Sequence, residues 1–415
     1  MVAVRIENRA QLIYLLTEAA ELEHEILCCY LFASFSMKDE VSEGVTAQQL
    51  ERIGAWRDLL RGIMVQEMIH FATACNLLTA IGGPAQVRRP NLPTGSRAYP
   101  PKFQLKLMPF SLDAVGQFAQ LEQPEAIWEA SRQGEYRATA MPLDRLGDIF
   151  SSERNFETVG ELYRGIQDGF SYLSQKLGDD ELFVGPRDAQ AAQQYFQMPG
   201  LLPVYDLPSA LAAIEVIVEQ GEGASEDAED SHYKRFLHIQ GEYQEELDRD
   251  PRFEPARPVL SSPYAMLPVD LGPEAEVALV DDPLSADLCN VFDGCYELML
   301  QIIGRLFAGG EETPEVRSAY ADIAVSLMFD AVEPLGCAIT RLPAGPSHPG
   351  MTAGPGFRLS RSGGVPAHAV SARTLFRERL QELHRYCRFV QLEAGAPPVL
   401  EAVGSALEGY LAKLA

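Results

Sequence analysis

The chain has 415 residues, 47% of them hydrophobic, and 34 Lys and Arg set against 59 Asp and Glu give a formal net charge of −25. That is ample material for a large buried core and one to three domains. An acidic balance of this size with no Lys/Arg cluster argues against nucleic acid as a partner, since phosphate binding needs a basic surface, and no apolar run is long enough to span a bilayer.

In chain order, the first residues, Met1 to Asn8, lack a charged-then-apolar export pattern, so no signal peptide is expected. A helix follows whose apolar positions run Leu12, Leu16, Ala19, Ile26, Leu27 and Tyr30 at steps of three and four. The position that fills the gap in this stripe is Glu23. A charge on the buried stripe of an amphipathic helix costs several kcal/mol unless it is neutralised, paired or bound to metal. Glu21 and Glu25 turn away from the stripe and read as solvated charges. His24 lies about 100° round from Glu23 and reads as a hydrogen-bonded neighbour rather than a ligand.

The second helix repeats the anomaly. Trp56, Leu60, Ile63, Phe71, Ala74, Leu77, Leu78 and Ile81 form one stripe, and Glu67 and His70 fall inside it. An i, i+3 spacing puts carboxylate and imidazole on one face. Alone, such a unit reads equally well as a buried ion pair; beside Glu23 and a second copy further on, it points to metal. The helix stops at Gly82-Gly83-Pro84. Residues 84 to 108 are proline-rich and read as a surface excursion, and a short helix from Leu112 to Leu121 follows.

From Asn155 to Lys176 the stripe is Phe156, Val159, Tyr163, Ile166 and Phe170. Glu157 and Glu161 also lie here, but Glu161 projects nearly opposite the stripe, and periodicity alone reads it as solvated. A further apolar helix (Leu211, Ile214, Val218) ends near Glu219 and Glu222. After an acidic run comes the second Glu-x-x-His unit, Glu229 and His232; His232 shares a face with Phe236, Ile239 and Tyr243, which places the pair on the first turn of a helix. Glu219 and Glu222 compete with Glu229 for the same role. Proline punctuation from Pro251 to Asp287 then precedes helical patterns at 288–307, 315–332 and 374–392. Tyr296, Met299, Met328 and Phe329 read as core, and His348 and His368 as loop histidines. The expected architecture is all-α: a four-helix metal-binding bundle over 1–250 with an insertion at 84–150, and an additional helical region over 251–415 packed on it.

Several stretches in one order resemble a known family. They are Leu22-Glu23-His24, Gln66-Glu67-Met68-Ile69-His70 running on to Gly83, Gly160-Glu161-Leu162-Tyr163, Glu219-Gln220-Gly221-Glu222-Gly223, and Ser231-His232-Tyr233-Lys234-Arg235-Phe236. Together they resemble the ferritin-like domain associated with iminophenyl-pyruvate dimer synthases of the violacein and rebeccamycin pathway type. The resemblance continues through Met328 to Pro334 and Thr352 to Phe357, so it covers most of the chain. It implies a ferritin-like four-helix bundle and gives Glu161 weight as the third-helix ligand despite its phase. One departure is Glu25 to Tyr30, where the family pattern has small residues and proline.

The expected ligand set is Glu23, Glu67, His70, Glu161, Glu229 and His232, with Glu222 as a substitute. Carboxylates with two imidazoles form a hard-to-borderline set that suits two Fe ions, or Mn, with positions left open. The seven cysteines, an odd number without a CxxC, suit a reduced, cytoplasmic setting, and thiolate ligands do not fit a carboxylate site. The first functional expectation is a non-heme dimetal oxidase or oxygenase. By the resemblance it acts on a small amino-acid-derived metabolite in secondary metabolism, with oxidative imine coupling as the narrower form. An iron-handling, ferroxidase-like protein and a metal-free binding or scaffold bundle are the alternatives. A small-molecule substrate is implied, no membrane partner is, and a homo-oligomer stays open.

Overall fold

The computed structural model describes residues 6–94, 104–124, 158–221, 230–266, 278–310, 312–360 and 364–414. Helix α1 (Arg9–Ser36) is started by Asn8, whose side chain accepts from the Gln11 N–H, and α2 (Ala47–Ala80) by a reciprocal Thr46–Gln49 capping box. The end of α2 follows the Gly82-Gly83 signal: Gly82 adopts φ 81°, and the N–H groups of Gly82 and Gly83 bond back to Thr79 and Leu78. These two long helices pack along each other. Against them lie α3 (Leu112–Leu121), α4 (Val159–Leu177), α5 (Leu207–Gly221) and α6 (His232–Arg249), with α4 on α1 and α5, and α3 on α6.

The later chain forms α7 (Pro283–Phe307), α8 (Pro314–Leu327), α9 (Glu333–Ile339), α10 (Ala369–Val390) and α11 (Val399–Lys413). The segment expected as one helix over 315–332 widens into a π turn at Met328–Val332 before α9. Pro334 has no N–H to give to the ladder, which accounts for the break. Phe329, expected in the core, stands 57% exposed on that turn. Helix α7 packs on α2 and α9 on α1, so one continuous apolar core runs through the bundle and the later helices.

That packing overturns two expectations. Glu25 is buried, and Thr94, from the proline-rich stretch after α2, donates to its carboxylate. The proline-rich stretch after α2 is no surface excursion in its described parts: Val87, Leu92, Leu105 and Leu107 are buried, and Asn91 exchanges hydrogen bonds with the Leu359 backbone. Its extended backbone carries no helical period, so its burial leaves no periodic sign in the sequence. A two-residue parallel pair, β1 (Pro263–Tyr264) with β2 (Ala278–Leu279), is the sheet among the described residues. No helix among them is long and apolar enough to cross a membrane.

Two amides, Asn76 of α2 and Gln190 of the outer loop, tie that loop to α2, Gln190 donating to the Asn76 carbonyl and the Thr79 hydroxyl. Fully buried Asn76 donates to the Ala191 and Leu202 carbonyls and accepts from the Ala191 N–H. Replacing it with alanine should lower stability by about 2–4 kcal/mol, since each abandoned buried group costs about 1–3 kcal/mol. Denaturant melts of the two proteins would check this; an unchanged midpoint contradicts it.

Candidate metal centre

Six helices bring chemistry to one point. Glu23 comes from the middle of α1, and Glu67 and His70 come from adjacent turns of α2. His232 is the first residue of α6, held there by Ser231, whose hydroxyl caps the helix at the Lys234 N–H. Glu122 follows α3 directly, its own N–H closing that helix on the Phe118 carbonyl. Tyr163 comes from the inner face of α4, and Gln220 from the last turn of α5.

Glu67 is central. Its Oε1 lies 2.9 Å from His232 Nδ1 and its Oε2 lies 3.3 Å from His70 Nδ1. Each imidazole has a second carboxylate beyond it, Glu23 at 3.7 Å from His70 Nδ1 and Glu122 at 3.7 Å from His232 Nδ1. Each outer carboxylate is in turn held by a phenol: Tyr163 donates to Glu23 at 2.6 Å and Tyr30 to Glu122 at 2.7 Å. The far ring nitrogens also match, His70 Nε2 on Gln220 Oε1 at 3.0 Å and His232 Nε2 on Gln66 Oε1 at 3.1 Å. The result is two similar halves, a carboxylate and an imidazole in each, on either side of one shared carboxylate.

The donor geometry fits metal. Donor atoms of Glu67, His70 and His232 all lie within 4.8 Å of one another, and all three residues are buried. His232 Nδ1, despite its 2.9 Å approach to Glu67, is not aligned for a hydrogen bond and is left unsatisfied. Lone pairs that converge in this way need a cation or a proton between them. Beside these groups is a cavity of about 20 Å³ lined by Glu23, Glu67, His70, Glu122 and Tyr163.

The electrostatics point the same way. Burial raises the Glu23 carboxyl to about 7, with the neighbouring Glu67 charge adding to it. Burial opposes charge on Glu67 as well, but the two flanking imidazoles outweigh it and hold this carboxylate below its usual range. Burial also disfavours charged imidazoles, yet Glu67 outweighs it, raising His70 well above its ordinary value and His232 to about 9. Without metal, protons occupy the places where metal would sit. A raised histidine stabilises the fold fully below 6.5 and loses that contribution as pH climbs through its folded value. The chelated protein should therefore lose stability between pH 6.5 and about 9, by roughly 3 kcal/mol from His232. Metal, competing with those protons, should bind more tightly over the same window. Melting temperatures with and without metal across that range should diverge; parallel curves contradict the linkage.

Of the residues expected from sequence, Glu23, Glu67, His70 and His232 converge. Glu161 does not line the cavity: Gly160 and Tyr163 occupy the inner face of α4, and Glu161, half-buried on its first turn, lies round the helix from both. Among the described residues, the second carboxylate beside His232 is Glu122, at the end of α3. Glu219 is exposed, and Glu222 and Glu229 lie outside the described residues. Helix α6 begins at His232 with Ser231 as its cap, so of the second Glu-x-x-His unit only the histidine is described. Glu122 had a readable signal, since it continues the apolar series Val115, Phe118 and Ala119 of α3. Gln66 and Gln220 had none.

A model of the ferritin-like family matches residues 16–241, a span that includes every residue of this centre. Dichlorochromopyrrolate synthase from Lentzea aerocolonigenes is 29% identical over 420 residues, covering 92% of this chain and 39% of that protein. The 2-imino-3-(indol-3-yl)propanoate dimerase of Chromobacterium violaceum is 30% identical over 372 residues, covering 85% of this chain and 34% of its own length. The chain thus spans well under half the length of these curated relatives. A ferritin-like protein from Caulobacter vibrioides, of known crystal structure, aligns with a TM-score of 0.49 at 18% identity, covering 79% of this chain and 96% of that one.

Proposed function

The chain belongs to the ferritin-like family, and on that premise we propose that it is a non-heme dimetal oxidoreductase acting on a small amino-acid-derived imine. Residues 1–250 form its metal-binding bundle, with 251–415 packed on it. Glu23, Glu67 and His70 hold one ion; Glu67, Glu122 and His232 hold the other. The observation that carries this reading is the pair of matched carboxylate–imidazole halves about Glu67. Three carboxylates and two imidazoles suit iron, or manganese, and bound iron supplies the one-electron and dioxygen chemistry that the side chains lack.

The chain's own groups orient and protect. Tyr163 and Tyr30 fix the outer carboxylates by hydrogen bonds, and both phenols are pushed well above their ordinary pKa by burial, so they stay protonated as donors. Ile26, Val159 and Ile217 line the cavity and keep bulk water out. Its volume of about 20 Å³ has room for roughly one water-sized molecule. An amino-acid-sized substrate is therefore too large to react inside the cavity as it stands. The names of the two curated relatives, a synthase and an imine dimerase, support coupling of two imines, with two electrons and two protons passing to dioxygen.

Anaerobic reconstitution with ferrous iron should give close to two ions per chain. Dioxygen uptake should then depend on an imine generated in situ from an aromatic amino acid, with a product of twice the imine mass less two hydrogens. Iron oxidation over many equivalents without any imine would instead mark an iron-handling protein, and failure to retain iron would refute the centre.

A further inference from the structure

Resting on the dimetal reading, we propose that Gln66 and Arg235 form a positioning latch that fixes His232 in one tautomer and so makes its Nδ1 the ligand atom of the second metal position. The argument starts at the surface. Exposed Asp230 Oδ1 accepts from Arg235 Nε at 2.9 Å and from Nη2 at 2.8 Å, which anchors the guanidinium at the start of α6. Arg235 Nη1 then reaches Gln66 at 3.0 Å. A guanidinium only donates, so the Gln66 atom it meets is the carbonyl oxygen, not the amide nitrogen. That same oxygen lies 3.1 Å from His232 Nε2. With an acceptor facing it, Nε2 carries the hydrogen, and in the neutral ring Nδ1 is left with its lone pair.

This lone pair is the unsatisfied atom between Glu67 and Glu122. The latch therefore determines which nitrogen meets the metal. Without Arg235 the Gln66 amide is free to turn over and present its NH₂ to the ring, and His232 would then put its hydrogen on Nδ1, where it blocks coordination. The other half is built differently. His70 Nε2 also meets a glutamine oxygen, Gln220 Oε1, but among the described residues no cation fixes that amide. The latch is a feature of the His232 side.

The test is cobalt(II) titration of the full chain, read by ligand-field absorption and metal analysis. Wild type should take up two ions. In Gln66→Leu the first should bind as before and the second at least about tenfold more weakly, as for other losses of a partner behind a metal-bound histidine. Gln66→Glu keeps an acceptor for both donors and should restore the second ion, a rescue that a merely space-filling side chain would not show. Arg235→Leu, altered at a partly exposed position, should weaken the second ion without lowering the melting temperature, which covers the case in which Gln66→Leu folds poorly. Wild type holding two ions with Gln66→Leu and Arg235→Leu both matching it would overturn the latch and leave the dimetal reading standing. Wild type holding fewer than two would overturn the dimetal reading, and the latch with it.

Discussion

Replacing Glu67 with alanine should empty both metal positions at once, whereas Glu23→Ala should weaken only the ion beside His70. The difference follows from geometry: Glu67 presents one oxygen to His232 at 2.9 Å and the other to His70 at 3.3 Å, while Glu23 approaches His70 alone. The metal-free fold should suffer too. Burial opposes charge on His70 and His232, but Glu67 outweighs it and leaves both with raised pKa values, so both rings are charged near neutral pH. Removing the carboxylate between them leaves each ring only its more distant outer carboxylate, Glu23 or Glu122 at 3.7 Å, at a cost of up to about 3–5 kcal/mol for a broken buried pair. Metal analysis after reconstitution and the melting temperature of the chelated protein read the two effects separately. Retention of one ion by Glu67→Ala would mean that the halves do not share this carboxylate.

The part of this centre that could be read in advance is the part where a charge breaks an apolar stripe. Glu23 interrupts Ala19–Ile26, and Glu67 and His70 interrupt Ile63–Phe71, because a helix of period 3.6 shows at once which face is buried. The same rule reaches Glu122, which continues the Val115, Phe118 and Ala119 series one position past the end of the short helix Leu112–Leu121, a helix whose bounds the sequence and the fold share. Glu161 shows the opposite case. Its own phase points away from the core, and only the resemblance favours it as a ligand; in the fold, α4 turns Val159, Gly160 and Tyr163 to the centre, Tyr163 through its hydrogen bond to Glu23. Glu25 was not legible at all. Its carboxylate is met by Thr94, from the proline-rich stretch some 70 residues later, and no local pattern encodes a partner at that distance. The glutamines behind the imidazoles are silent for a related reason, since neutral amides at half-buried positions break no rule.

The exchange of Glu161 for Glu122 yields the sharpest comparison. Glu122→Gln and Glu161→Gln each remove one negative charge and keep shape. Against a net charge of −25, one unit barely changes the general field, which salt screens beyond about 8 Å. Only proximity to the ion can separate them. Glu122 lies 3.7 Å from His232 Nδ1 and has its other oxygen fixed by Tyr30, so its amide form should weaken the His232-side ion by at least about 100-fold, the upper end of what the loss of an outer partner costs. Tyr30→Phe, which removes only the hydrogen bond that steers Glu122, should weaken it by about tenfold. Glu161→Gln should leave both ions in place. The order of effects, carboxylate first, its phenol second and Glu161 last, is the signature of a centre completed from the end of α3. If Glu161→Gln is the damaging change and Glu122→Gln is silent, the third carboxylate comes from α4 and the arrangement described around His232 is wrong.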